Sequence, residues 1–219
     1  MLLHQIKHLI AKEILIEWRQ KYAFNGILLY IASTVFVCYL SFKNIIDPPT
    51  WNALFWIIML FVSVNAIAKS FVQENSARQL YIYTLVSPQA IILSKMIYNS
   101  ILMIFLSLVC FGFYSLFIGY IVQDTLLFLV SLILGSMGFS TVLTMVSAIA
   151  AKTNNNATLM AILSFPMLIP LLMIVIKVSK NAVDGLDRSV SYDYILILML
   201  LNLIVVILSY LLFPYLWRD

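Results

Sequence analysis

His4 and His8 are the only two histidines in the chain. Four residues apart, they would share one face of a helix and could ligate a metal ion or a haem iron. Two ligands from a single face leave a coordination sphere incomplete, so the pair also reads as polar residues at a membrane interface. Cys38 and Cys110 both stand in apolar runs, where a thiol packs as a small hydrophobe. Glu74 and Arg78 are spaced i, i+4 in the order that favours a helical ion pair. Beyond these the chemistry is sparse. There is no GxxxxGK phosphate loop ending in Ser or Thr, so ATP is not bound in that way. The pattern names no catalytic residue and no metal site, and any energy for directed work must come from another subunit.

The elements that carry these residues explain the sparseness. All 13 Lys and Arg and all 9 Asp and Glu lie outside six apolar stretches: 24–42, 52–68, 96–123, 125–151, 158–176 and 194–217. A membrane-spanning helix needs about 20 apolar residues. The composition is 63% hydrophobic and 10% charged, with a mean hydropathy of +1.04. Soluble domains carry about 25% charge and show one apolar stripe per helix; these stretches are apolar all round. Lipid forces backbone groups to pair within the segment, which selects helices. The expected fold is all-α and integral to the membrane, a single domain over 1–219 with six transmembrane helices. The spans hold no charged group or histidine, which excludes an intramembrane protease or a proton-coupled carrier of the usual kind.

Charge sets the expected topology. With the amino terminus inside, the inner segments hold Lys7, Lys12, Arg19, Lys21, Lys69, Arg78, Lys95, Lys152 and Arg218. The outer ones hold Lys43, Lys177, Lys180 and Arg188. The positive-inside rule then places both termini in the cytoplasm. The net charge of +4 follows from this asymmetry, and no nucleic-acid partner is implied. Trp51, Tyr120, Tyr194 and Trp217 fall near span ends, as interfacial aromatics do.

Residues 1–23 read as an amphipathic helix lying in the inner interface. Leu3, Ile6, Ile10 and Ile14 form its apolar face, and Lys7, Glu13 and Arg19 lie opposite. Asp47-Pro48-Pro49 reads as a turn. Residues 69–95 form the longest inner connection, with a short helix closed by Ser87-Pro88. Its mixture of polar and large apolar residues suits a docked surface, with Gln73, Glu74, Arg78, Leu80, Tyr83, Ser87 and Pro88 as the partner-binding set. The fourth span carries small residues at helical spacing, among them Gly135, Gly138, Thr141 and Ala148, which suit close packing in the bundle or in a dimer. Pro166 and Pro170 kink the fifth span or make it a hinge.

Several of these stretches together resemble the CcmB family. The residues are Phe71-Val72-Gln73-Glu74, Leu80, Leu85, Ser87-Pro88 and Ser94-Lys95, then Gly138-Phe139-Ser140 to Ala148, then Phe165-Pro166-Met167-Leu168-Ile169-Pro170. Where the family carries a glycine in the first of these loops, Ser76 or Ala77 stands here. The resemblance implies a permease like an ABC-2 or type V exporter half, a membrane subunit in cytochrome c maturation. It implies a CcmA-like ATPase, a CcmC-like haem-handling membrane protein and the periplasmic haem chaperone CcmE as partners, with two copies of the permease per complex. It also implies the bacterial inner membrane as location, haem as cargo and no intrinsic cofactor. An exporter subunit for another lipid or drug, and a passive scaffold for assembly factors, remain alternatives on the residues alone.

Overall fold

The computed structural model describes residues 2–19, 21–42, 47–67, 70–71, 86–152 and 156–218. Among them are seven α-helices, one short 3-10 turn and no strand. The helices are α1 (Leu2–Arg19), α2 (Lys21–Ser41), α3 (Pro48–Ile67), α4 (Pro88–Ile118), α5 (Thr125–Ala150), α6 (Asn156–Val183) and α7 (Tyr192–Arg218), with the 3-10 turn Arg188–Ser191 before α7. Six of them, α2 to α7, are long and apolar enough to cross a membrane. The chain is a multi-pass, all-α membrane protein.

The spans are displaced from the apolar stretches at four ends, and proline or glycine explains each. Pro48 and Pro49 open α3 instead of forming a turn before it, because a first-turn residue needs no N–H and its φ is already helical. Pro88 likewise occupies the first position of α4, with Ser87 extended before it (φ −66°, ψ 141°). Residues 88–95, expected in a cytosolic loop, are therefore helix. The same span stops at Ile118, before Gly119 at φ 110°, and does not run to Gln123. In α6 nothing breaks the helix at 176. It continues to Val183, where Gly185 takes φ 66° and the Leu186 N–H closes on the Asn181 carbonyl at 3.0 Å, a left-handed helix stop. Lys177 and Lys180 are thus helical, and the Lys177 ammonium lies 4.4 Å from the Tyr194 ring centroid.

Helix α5 is the hub, packing on α3, α4, α6 and α7. About 67% of its span is buried by the rest of the chain, against 11% for α2 and 17% for the last span. Small residues make this possible. A methyl group on Gly135 would come within 2.8 Å of the Trp56 ring of α3, and one on Gly138 would collide with Leu171 of α6. The hydroxyls of Ser131, Ser136, Thr141 and Thr144 bond to carbonyls three or four residues back, so these four side chains enter the seam already paired. Close packing, not hydrophobicity, holds helices together in lipid.

At the end of the bundle remote from α1, Trp51, Phe55, Tyr114 and Phe128 form a buried aromatic cluster, with Trp51 and Tyr114 centroids 4.8 Å apart. Trp51 is 1% exposed and donates to the Gly119 carbonyl at 3.1 Å. It is a core residue and not the interfacial aromatic its position suggested. Trp56 donates to Ser179 at 2.7 Å, Ser179 donates to Asn52 at 2.8 Å, and Asn52 donates to the Ile176 carbonyl at 3.0 Å, fastening α3 to α6. Asp124 accepts from the Leu127 N–H at 3.1 Å, capping α5, and takes both Arg188 donors at 2.6 and 3.0 Å.

Two measurements test this frame. Gly138→Val should cost about 1–3 kcal/mol by overpacking and lower the melting temperature in detergent by several degrees. Gly112→Val, where an added methyl meets nothing within 4 Å, should not; equal melting of both variants would refute the close seam. Arg188 holds the Asp124 carboxyl below its ordinary value. A depressed carboxylate stabilises above its unfolded pKa and loses that contribution as pH falls through its folded one. Asp124→Asn should therefore melt below the native chain at neutral pH, with the gap closing below about pH 4; a gap independent of pH would show that the clamp carries no charge effect.

Candidate functional site

The expected partner-binding segment leaves and rejoins the bundle at the α1 end. Gln73, Glu74, Arg78, Leu80 and Tyr83 lie outside the described residues. The two attachment points do not. The leading one follows α3 at Ser70 and Phe71; the trailing one is Ser87, immediately before Pro88 of α4.

Helix α4 brings Lys95 and Asn99 to the leading point. The helix has 31 residues, about 46 Å at 1.5 Å per residue, against about 30 Å of hydrocarbon. That is longer than the hydrocarbon is thick, and Lys95 sits in the second turn, within the helix and not in an exposed loop. It is 3% exposed. Its ammonium donates to the Ser70 carbonyl at 2.6 Å, lies 3.5 Å from a Glu13 carboxylate oxygen and 4.7 Å from the Phe71 ring centroid. Asn99 donates to Ser70 Oγ at 3.0 Å and to Thr144 Oγ1 of α5 at 2.8 Å. The Phe71 N–H donates to Ser147 Oγ at 3.4 Å. The Phe71 side chain is buried among Ile92, Met96, Met145, Ala148 and Phe213, with the Phe213 ring centroid 5.7 Å away.

Glu13 is contributed by α1, which packs chiefly along α4. The carboxylate was expected on the polar face of an interfacial helix. Instead it turns into the bundle, its side chain 16% exposed, and also meets Lys12 at 3.3 Å. Burial against α4 pushes the Glu17 carboxyl above its ordinary value, opposed by a hydrogen bond with Tyr98. Of the apolar face expected to meet the membrane interface, Leu3 and Ile14 are exposed on the protein surface, while Ile6 is buried against the bundle. The trailing point is tied to the same helix: Ser87 Oγ donates to Gln5 Oε1 at 3.1 Å.

The other singled-out residues sit elsewhere. Pro166 and Pro170 lie within α6, which stays helical through both. Gly135 and Gly138 face α3 and α6, Thr141 bonds the Gly138 carbonyl, and Ala148 lines the Phe71 pocket. Asn99 and Asn202 make interhelix bonds, Asn202 to the Leu134 carbonyl at 3.2 Å; Asn65 and Ser107 bond only within their own helices. Charge pattern alone gave no sign that Glu13 and Lys95 would meet. The one available signal was a lysine seven residues inside a helix opened by Pro88.

A family model described as CcmB protein matches residues 4–214 of the chain. Among curated proteins, none matches it.

The arrangement makes a definite energetic claim. Lys95→Met leaves the Ser70 carbonyl without its donor, which should destabilise the protein by about 1–3 kcal/mol. Glu13→Gln should cost less, since Lys95 keeps Ser70. Because the groups touch, a double-mutant cycle should give a coupling energy of about 0.5–3 kcal/mol. Additive single effects would show that the pair is not formed.

Proposed function

The chain belongs to the CcmB family, and from that premise we propose that it is the non-catalytic membrane half of an ABC-type complex for cytochrome c maturation. In this reading residues 73–88 form the surface on which a separate CcmA-like ATPase docks. ATP turnover moves that surface, and the movement is spent on exporting haem or on freeing the haem-loaded chaperone CcmE, with a CcmC-like protein beside it. Two copies assemble per complex, in the bacterial inner membrane, with both termini in the cytoplasm. Haem is cargo in this scheme and not a resident group.

One observation carries the proposal. The segment is pinned at both ends to the same end of the bundle, by Lys95, Asn99 and Ser147 at one side and by Gln5 at the other. A loop so anchored transmits a push; a free loop would absorb it. The push enters α3 through Ser70, whose N–H bonds to the Ile67 carbonyl at 2.9 Å, and α4 through Pro88. Pro166 and Pro170, which each remove a backbone bond from α6, would let that helix bend in response.

Glu74→Lys tests the docking surface. Placing like charges at positions 74 and 78 weakens a local helix by only a few tenths of a kcal/mol, about 0.2–0.5. Loss of most ATP turnover and chaperone release in the purified complex is the expected outcome, far beyond that local cost. Normal turnover and release from the variant complex would end the proposal.

A further inference from the structure

The two histidines occupy a place that the coupling scheme does not use. Both are exposed on α1, on the stripe turned away from the face that buries Ile6 and Glu13. Their rings meet edge to face, with centroids 4.4 Å apart and planes at 63°. The two Nε2 atoms converge to 3.3 Å. At that separation one Nε2 donates its proton to the other.

The same separation is what a chelated metal requires. Imidazole nitrogens bind Zn²⁺ at about 2.0–2.1 Å, and two such bonds at a tetrahedral angle put the nitrogens about 3.3 Å apart. We propose that His4 and His8 form a chelating site for a divalent transition-metal ion of the imidazole-preferring class, Cu²⁺, Ni²⁺ or Zn²⁺. On binding, the donor ring gives up its Nε2 proton and takes one from solvent at Nδ1, with no net release, so that both Nε2 atoms coordinate the ion as neutral imidazoles. No group of three or more His, Cys, Asp or Glu able to hold a metal exists among the described residues. The described residues therefore supply two ligands, and the remaining positions are open to water. Such a site exchanges its ion and is regulatory or sensory in character, not structural.

Its position gives the ion something to act on. Gln5 stands between the two histidines and accepts the hydrogen bond from Ser87 at the trailing end of the 73–88 segment. An ion bridging positions 4 and 8 closes the first turns of α1 around that residue. The inference rests on ring geometry alone and stands or falls independently of the ATPase-coupling reading.

The test is clean because the chain has no other imidazole. Full-length protein carrying a histidine-free tag would be titrated with Cu²⁺ in detergent and followed by electron paramagnetic resonance. One Cu²⁺ per chain with hyperfine structure from two nitrogens is expected. His4→Ala and His8→Ala should each lose the two-nitrogen signal and bind on the order of 100-fold more weakly, the advantage of a tethered second ligand. Both side chains are exposed, so the variants should melt as the native chain does without metal, and Cu²⁺ should raise the melting temperature of the native chain only. Binding unchanged in either variant, or a signal from a single nitrogen in the native protein, would overturn the site.

Discussion

An ammonium group that is 3% exposed cannot persist charged without partners, and Lys95 obtains them from two separate parts of the chain, α1 and the residues that follow α3. The Ser70 carbonyl lies 25 residues away in sequence and Glu13 lies on a different helix. Asn99, one turn further along α4, joins the same serine to Thr144 of α5. The position of α1, the course of the chain after α3 and the depth of α4 are therefore mutually conditional. Remove the Ser70 carbonyl or the Lys95 ammonium and a buried polar group loses its closest partner, which costs more than the bond itself is worth. This end of the bundle is specified by polar satisfaction, whereas most of the remainder is specified by shape.

That remainder depends on α5. Helices gain little from hydrophobicity in a hydrocarbon solvent, so contact must come from close approach. Glycine at 135 and 138 gives the Trp56 ring and Leu171 room against the α5 backbone. Around this core the aromatic cluster of Trp51, Phe55, Tyr114 and Phe128 fills the far end, and Trp51 and Tyr114 donate to the backbone carbonyls of Gly119, just past α4, and of Trp51 in α3. By contrast α2 and α7 show most of their surface, which suits lipid-facing helices with no charge along their central turns.

Membrane class and span number were legible in the sequence because they follow from composition: six runs without charge can only be six crossings. The hub character of the fourth span was legible for a similar reason, since small residues at helical spacing have few other uses in lipid. Helix ends were less legible. Pro48 and Pro88 were read as interruptions, although a proline followed by helix formers fits a first turn as well as it fits a break. Trp51 looked interfacial because it adjoins a span end; only the approach of α4 and α5 shows it to be core. The Lys95–Glu13 contact was not legible at all. It joins residues 82 positions apart, and charge counted for topology carries no pairing information. Most of the 73–88 segment lies outside the described residues, so its two anchors define it here.

Those anchors bear on how movement would pass through the molecule. The aromatic end is tied by rings in van der Waals contact and by a serine–asparagine–tryptophan chain between α3 and α6. Sliding such surfaces means breaking many contacts at once, and packed interiors resist that as a body. The α1 end is tied by a few directed bonds from long side chains: Lys95 to Ser70, Gln5 to Ser87, Asn99 to Ser70. Bonds of this kind exchange partners at small cost when an alternative acceptor is near, and Lys95 already has both a carbonyl and a carboxylate within 3.5 Å. A displacement applied between Ser70 and Ser87 would therefore be taken up first where the connections are few and replaceable. The distant aromatic cluster would act as the fixed point about which α3 and α4 turn. Rigid packing at one end and exchangeable polar contacts at the other is the distribution of stiffness that a lever requires.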